Sequence, residues 1–175
     1  MNTIQEIKQE FFAMRNGMLA DTLRKSGDPH TIIFGLLVTQ VKEIALRYQA
    51  SKELAESMWE NISSRECRMI APYLYPKDEM DYEKAKLWCE SVETFEIADV
   101  LCLALLRNMT FAETLMKELI AKDDEKQQYT GFRLGLNLLI LNTLTDISDL
   151  KSCARQNFTQ SRGPLKQLLK SIIEE

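Results

Sequence analysis

Along most of the chain, hydrophobic and polar positions alternate with the 3.6-residue period of an amphipathic α-helix. Near the N-terminus, Ile4, Ile7 and Phe11 recur at three- and four-residue intervals, with glutamate and lysine between them. The same spacing returns between residues 38 and 48 and in most later segments. Strict alternation of apolar and polar residues, which predicts β-strands, is nearly absent. The pattern therefore predicts an all-α fold of eight or nine helices.

Capping residues indicate where several of these helices begin. Ser63 and Thr110 are each followed three residues later by glutamate, which is the capping-box pattern. Asp81 and Thr94 are further candidate N-caps. The intervals between successive candidates suggest helices of similar length, joined by short turns.

The C-terminal half has a pattern of its own. The charged segment KDDEK precedes a predicted long helix from about residue 127 to residue 144. Two shorter helices are predicted at residues 147–158 and 165–173, separated by the sequence SRGP. Glycine followed by proline is a strong turn signal, so a break is expected between them.

Short amphipathic helices do not bury their apolar faces alone, so they must pack against one another. Stacked helix pairs form an α-solenoid of the HEAT type, and a compact globular bundle is the alternative. The chain has 175 residues and 45% apolar content, which is typical of one domain. We predict one all-α domain over residues 1–175, an α-solenoid of HEAT-like antiparallel helix pairs.

Composition restricts the chemistry. No apolar run approaches the roughly 18 residues that span a bilayer, and the N-terminus lacks an apolar signal core. We therefore expect a cytoplasmic protein without a membrane partner. The four cysteines are widely spaced and His30 is the only histidine, so no metal is expected. The sequence contains no glycine-rich phosphate loop, and no cofactor is expected.

Charge is distributed unevenly. The net charge is −4, and residues 51–110 contain 12 acidic and 7 basic side chains. This acidic excess argues against a broad nucleic-acid-binding surface, which is usually basic. A net charge of −4 remains compatible with a local basic groove, because binding depends more on the charge of one face than on the net charge of the chain.

Two charged residues interrupt apolar helical segments. Asp99 lies within FEIADVLCLALL, one turn after Phe95, and Arg133 lies within QQYTGFRLGLNLL, one turn after Tyr129. Trp88 precedes the first group by less than ten residues. Burying a lone charge is costly, so each charge needs a partner or water. We expect Asp99 and Arg133 at one concave surface of neighbouring repeats; a structural ion pair, or two unrelated solvated residues, are the alternatives.

Other conspicuous residues have simpler interpretations. Trp59 and Trp88 lie on amphipathic faces and are expected in the core. Arg65 and Arg68 flank the Ser63 cap, where a solvated or capping role is expected and phosphate contact is the alternative.

Four segments, in order, resemble the DNA alkylation repair (AlkD-like) family of HEAT-like-repeat proteins. They are IIFGLLVTQVKEIALRY, ELAESMWENISSRECRMIAPYLYP, VETFEIADVLC and QQYTGFRLGLNLL. The first is similar to an aromatic-glycine turn before a helix. The second resembles a Leu-Ala-x-x-x-Trp helix followed by Glu-x-Arg. The last two resemble an aromatic-x-x-x-Asp segment and an arginine-bearing helix. The resemblance covers about residues 32–140.

The resemblance implies an α-solenoid that holds alkylated double-stranded DNA. It also implies a glycosylase that hydrolyses the N-glycosidic bond of N3- or N7-alkylated purines. Asp99 matches the family's catalytic acid, and Phe95 falls where the family has a tryptophan. Arg133 matches an arginine that contacts the DNA backbone. We group Tyr129 and Trp88 with Arg133 as predicted substrate-binding residues, and Asp99 with Phe95 as predicted catalytic residues.

Two departures from the family pattern leave a second function open. Phenylalanine at position 95 lacks the indole N–H and offers a weaker cation–π surface than tryptophan. The family's last repeats are expected to be short or missing, and Phe158 is only a weak counterpart of a second catalytic aromatic residue. The alternative prediction is a catalytically inactive α-solenoid that binds a protein or nucleic-acid partner through its concave face.

Overall fold

A computed structural model describes residues 2–175, which form eleven α-helices, two 3₁₀ turns and no β-strand. The helices are α1 (Thr3–Ala13), α2 (Gly17–Lys25), α3 (Val38–Ala45), α4 (Lys52–Trp59), α5 (Arg65–Leu74), α6 (Tyr82–Glu90), α7 (Phe95–Ala104), α8 (Ala112–Ile120), α9 (Glu125–Ile140), α10 (Ile147–Phe158) and α11 (Gly163–Glu174). The 3₁₀ turns are Lys77–Glu79 and Leu106–Asn108. Within residues 2–175, no helix combines the length and apolar character needed to cross a membrane.

The all-α prediction is confirmed, but the predicted number of helices is too small. The helix that the sequence pattern missed is α2, which buries only Ala20. Leu19 and Leu23 lie one turn apart in its nine-residue sequence GMLADTLRK, so a helical signal was present there and was overlooked. The two C-terminal helices, by contrast, lie close to their predicted ranges.

The predicted N-caps divide into two groups. The Asp81 carboxylate accepts a hydrogen bond from the Lys84 N–H, and the Thr94 hydroxyl accepts one from the Ile97 N–H, so both predictions are confirmed. The Ser63 prediction is wrong, because its neighbour Ser64 caps α5.

The prediction for Thr110 is also wrong. Helix α8 begins at Ala112, after Phe111. The glutamate of the expected capping box, Glu113, accepts hydrogen bonds instead from the N–H and hydroxyl of Thr145, at 3.0 and 2.5 Å.

The described chain contains two compact units, one up to Met80 and one at Asp81–Glu175. In the first unit, α3 and α4 pack on α5, and α1 packs on α3. Trp59 is 5% exposed and lies in this core, as predicted. The prediction of a single domain over residues 1–175 stays a prediction.

In the second unit, α9 is the central helix and packs against α6, α7, α8, α10 and α11. Gly131 allows the close approach of α8. A Cβ at this position would lie 2.8 Å from the Ile120 nitrogen and 2.9 Å from the Leu119 Cβ, both shorter than real Cβ contacts. The absence of a side chain at Gly131 therefore sets how closely α8 and α9 pack.

A buried carboxylate fastens an extended segment to α5 in the first unit. The Glu66 side chain is fully buried and accepts hydrogen bonds from the backbone N–H groups of Phe34, Gly35 and Leu36, at 3.0, 2.9 and 3.3 Å. Arg65 Nη1 lies 2.6 Å from Glu66 Oε1 and donates to the Leu36 carbonyl at 3.1 Å. Three backbone donors and a guanidinium thus compensate a charge that would be costly to bury alone.

Arg65 and Arg68 were expected to be solvated, capping or in contact with phosphate, and these expectations are wrong. Arg65 is 2% exposed and Arg68 is 1% exposed. Arg68 Nη1 donates to the Trp59 carbonyl, and its guanidinium carbon lies 3.6 Å from the centroid of the Trp59 ring. Both arginines are parts of the core.

Candidate functional site

Helices α7 and α9 bring Asp99 and Arg133 together. Arg133 Nε lies 2.7 Å from Asp99 Oδ1. The contact is an ion pair rather than an aligned hydrogen bond, because the Nε–H does not meet hydrogen-bond geometry. The Asp99 side chain is 41% exposed and that of Arg133 is 28% exposed. The pair is therefore accessible to solvent and is not sealed in the core.

Tyr129 forms a hydrogen bond with each member of the pair. Its hydroxyl donates to Asp99 Oδ1 at 2.8 Å and accepts from Arg133 Nη2 at 2.9 Å. Tyr129 and Arg133 lie one turn apart on α9, so both reach Asp99 from the same face of that helix. The tyrosine is only 3% exposed. Its ring and hydroxyl hold the other two groups in place, and little of it faces solvent.

Phe95 covers the tyrosine ring. The two ring centroids are 4.5 Å apart, with the planes inclined at 47°. Phe95 is the first residue of α7, which the Thr94 cap starts, and it lies one turn before Asp99. It is partly exposed. Phe95 is therefore the aromatic side chain next to Asp99 that has an accessible surface, and Tyr129 supports it from behind.

Burial and charge act in opposite directions on the Asp99 carboxyl. Burial raises the pKa of Asp99 above its ordinary value, and the nearby Glu96 raises it further. The charge of Arg133 and the hydrogen bond from Tyr129 lower it, without cancelling the rise. Burial also raises the pKa of Tyr129, to about 12. The phenol therefore keeps its proton at neutral pH and acts as a donor to Asp99.

Two aromatic residues that are close to these charges in the sequence are buried, Trp88 and Phe132. Trp88 is 4% exposed on α6 and belongs to the core, as one interpretation of the sequence expected. Phe132, which directly precedes Arg133 in the sequence, is fully buried. The four-residue spacing of Tyr129 and Arg133 in the sequence indicated that the two side chains share one face of a helix. It did not indicate that the tyrosine contacts both Asp99 and Arg133.

The two oxygens of the Asp99 carboxylate differ in their surroundings. Both the tyrosine hydroxyl and the guanidinium approach Oδ1. Within residues 2–175, Oδ2 accepts no hydrogen bond. A carboxylate held through one oxygen can present the other, in a fixed direction, to an approaching cation or to a water molecule. Within the same residues, no group of three histidine, cysteine, aspartate or glutamate side chains could hold a metal ion.

Comparisons with known proteins give a family and a fold. A family model described as DNA alkylation repair enzyme matches residues 7–163. Among curated proteins, none matches this chain significantly. A solved structure is described as a new family of proteins related to the HEAT-like repeat DNA glycosylases with affinity for branched DNA structures. It shares 20% identity and a TM-score of 0.84, over 96% of this chain and 73% of that chain. The predicted HEAT-like helical fold is thereby confirmed.

Proposed function

The chain belongs to the DNA alkylation repair enzyme family, and on this premise we propose that it binds double-stranded DNA and removes alkylated purine bases from it. The reaction is hydrolysis of the N-glycosidic bond of a purine alkylated at N3 or N7. Such a purine carries a positive charge, so it leaves as a neutral base and needs little help from a general acid.

The proposed role of Asp99 follows from the charge that the reaction develops. As the base departs, the sugar acquires oxocarbenium character, and a fixed negative charge nearby lowers the energy of that state. The observation that carries the proposal is the solvent-accessible Asp99 carboxylate, anchored through Oδ1 by Tyr129 and Arg133. The ionised Oδ2 faces the positive sugar or orients the attacking water.

Arg133 and Phe95 have supporting roles in the proposal. Arg133 is partly exposed, and its guanidinium carries several donors, of which Asp99 and Tyr129 occupy only some. The remaining donors suit a DNA phosphate beside the lesion. Phe95 offers a ring face to the cationic base, a contact of about 0.5–2 kcal/mol.

A second candidate is DNA binding without base release. It is supported by the pairing of Asp99 with Arg133, since a carboxylate already neutralised by a guanidinium stabilises a second cation less. The similar solved structure, described as having affinity for branched DNA, agrees with a binding role on this scaffold.

The test is release of 7-methylguanine and 3-methyladenine from methylated duplex DNA under single-turnover conditions. We expect Asp99→Asn to lose base release by about 10²–10³-fold, because the uncharged amide removes the stabilising charge. Asparagine keeps an oxygen that can accept from Tyr129, so the circular dichroism spectrum should be unchanged.

Asp123→Asn is the matched control, because Asp123 is exposed in the loop before α9 and the same charge is removed. Its rate should equal that of the unaltered protein. If the unaltered protein binds methylated duplex and releases no base, the glycosylase part of the proposal is overturned and the binding function stands. Equal rates for the unaltered protein and Asp99→Asn would show that another group is the catalyst.

A further inference from the structure

The last two helices contain a run of positive charge without any acid. Residues 150–173 include five basic side chains and no aspartate or glutamate, in a chain whose net charge is −4. The basic residues are Lys151, Arg155, Arg162, Lys166 and Lys170. None of them takes part in the Asp99 cluster, which is carried by α7 and α9.

Four of these cations and one aromatic ring share a surface, which we call the α10–α11 basic face: Lys151, Arg155, Phe158, Arg162 and Lys166. On α10, Lys151, Arg155 and Phe158 are spaced by four and three residues, so they lie on one side of the helix. Lys166 of α11 has its Nζ 4.9 Å from the centroid of the Phe158 ring, which brings α11 to the same side. Arg162 lies one turn before Lys166, whose N–H bonds to its carbonyl at 3.3 Å.

The cations of this face are free of ion pairs within residues 2–175. Arg155 and Arg162 are exposed, and Lys151 and Lys166 are half-buried. The nearest acids along α10 do not share the face. Asp146 caps the start of that helix, and Asp149, two residues before Lys151, points about 200° away.

Lysines elsewhere in the same unit show the contrast. Lys122 lies 3.6 Å from Glu118, and Lys117 lies 3.3 Å from Glu113. A row of unpaired cations at one-turn intervals can instead bind a row of phosphates, because lysine and arginine side chains are frequent phosphate contacts in protein–DNA complexes. The first turn of α11 contains no acidic residue that would reduce this potential.

We propose that the α10–α11 basic face binds the phosphate backbone of a DNA duplex, as a second contact surface besides Arg133. The inference rests on the DNA-binding part of the proposed function, because family membership is what favours DNA over an acidic protein. Phe158 supports the Lys166 ammonium through its ring and places that charge at the surface. Contacts to phosphates give affinity without reading the base sequence, and they orient the protein on the duplex. In the proposal, the face thus orients the Asp99 cluster relative to the DNA.

The experiment measures binding of a fluorescent, unmethylated duplex over a series of NaCl concentrations. Each phosphate contact contributes about 0.9 to the slope of log Kd against log salt. Arg155→Gln/Lys166→Gln should therefore lower that slope by about 1.8 and weaken binding at low salt. Arg155→Lys/Lys166→Arg keeps both charges and should keep the slope of the unaltered protein.

The matched control is Lys117→Gln/Lys122→Gln, which removes the same total charge from lysines that are already paired with glutamates. Its slope should stay that of the unaltered protein. Equal decreases in both glutamine variants would overturn the inference, because they would reflect net charge and not a contact surface.

The outcomes separate this inference from the catalytic proposal. Asp99→Asn should lose base release and keep the salt slope, whereas Arg155→Gln/Lys166→Gln should lower the slope. If the unaltered protein binds the duplex but releases no base, catalysis fails and the basic face stands. If the unaltered protein binds no duplex, both proposals are overturned.

Discussion

At the scale of a residue, the state of the Asp99 carboxyl depends on three neighbours that act against one another. Burial, with a contribution from Glu96, raises the pKa of Asp99, while the Arg133 charge and then the Tyr129 hydrogen bond lower it. Removing one of the lowering groups should therefore increase the protonated fraction. This dependence can be measured without any DNA.

We expect Tyr129→Phe to raise the pKa of Asp99 further, because the variant loses the hydroxyl that donates to Oδ1. Arg133→Gln should raise it more, since the arginine charge is the larger of the two lowering effects. Carbon-13 NMR titration of the Asp99 carboxyl measures both values. In Phe95→Leu no hydrogen bond or charge is lost, and the smallest change is expected there. A lower pKa in Tyr129→Phe would contradict the assigned hydrogen bond.

The direction of this shift also fixes how stability depends on pH. An unfolded aspartate has a pKa of about 3.9, and the folded value for Asp99 is higher. The folded state therefore binds the proton more tightly, and this contribution to stability is present below pH 4 and is lost as pH rises through the folded pKa. Urea unfolding at a series of pH values should show this loss in the unaltered protein and not in Asp99→Asn.

Base release should have the opposite pH dependence, because the proposed catalyst is the ionised carboxylate. Activity should rise as pH increases through the raised pKa of Asp99. A single-turnover rate profile checks this expectation. A rate that is constant from pH 4 to neutrality would argue against Asp99 as the ionising group.

At the scale of an element, the extended segment that precedes α3 is attached to α5. This attachment depends on a backbone conformation at position 35 that only glycine tolerates well. Gly35 has a φ of +82°, and a Cβ there would overlap the Asn16 carbonyl oxygen and lie 2.9 Å from the Ala20 nitrogen. Its N–H is one of the donors to Glu66. A substitution at this position strains the chain and displaces part of α2.

Gly35→Ala should therefore destabilise the protein by about 3 kcal/mol, from the left-handed conformation and the backbone overlap together. Urea denaturation measures the change. Gly17→Ala is the control, because Gly17 begins α2 and a Cβ there meets nothing within 4 Å. That variant should be neutral or more stable, by up to about 1 kcal/mol. Similar losses in both variants would show that general helix effects, and not the overlap, are responsible.

Comparison of predicted and observed helix starts shows which features a sequence reveals. Asp81 and Thr94 were predicted correctly because a cap and the N–H it accepts from lie three residues apart. Glu66 and Glu113 also lie at capping-box positions, but their partners are about thirty residues away, at Gly35 and Thr145. Local patterns do not identify such partners.

The candidate site shows the same limit. The cost of isolating a charge among apolar residues indicated that Asp99 and Arg133 each needed a partner, and the structure pairs them. The tyrosine bridge was not predictable, since it depends on the rotation of α9 against α7. Arg65 and Arg68 were expected to have a solvated or capping role because they flank the Ser63 cap candidate. Their actual partners, the Leu36 and Trp59 carbonyls, become close only in the folded chain.

At the scale of the whole molecule, the summed charge of a segment does not describe the charge of any one face. The acidic total of residues 51–110 suggested a poor match to DNA, yet residues 150–173 carry only basic charge. Helix content was easier to predict, because amphipathic periodicity is a property of each segment by itself. The distribution of charge over a surface needs the fold.

Thiol reactivity offers a test of the whole fold. All four cysteines are free, and Cys67, Cys89 and Cys102 are buried. Burial raises the pKa of Cys89 to about 12 and raises the pKa of the Cys67 and Cys102 thiols. Because the thiolate is the reactive form, these three should react with iodoacetamide only when the protein opens, and the partly exposed Cys153 should react first. Peptide mass spectrometry follows each site.

The same experiment addresses the predicted single domain. If residues 1–175 unfold cooperatively, Cys67 of the first unit and Cys89 of the second should become reactive with the same opening free energy. Different opening free energies would mean that the two units open separately. Cys153 reacting as slowly as the buried thiols would contradict its partial exposure.

Gly131 has a consequence for how the site can change. It lies between Tyr129 and Arg133 in sequence but on the opposite side of α9, where it touches Ile120. Adding one methyl group there would push the helix away from α8 and shift both partners of Asp99 together. A substitution in the packing contact between α8 and α9 is thus a way in which evolution or design can change the geometry around the Asp99 carboxylate. The residues that contact the carboxylate would themselves stay unaltered.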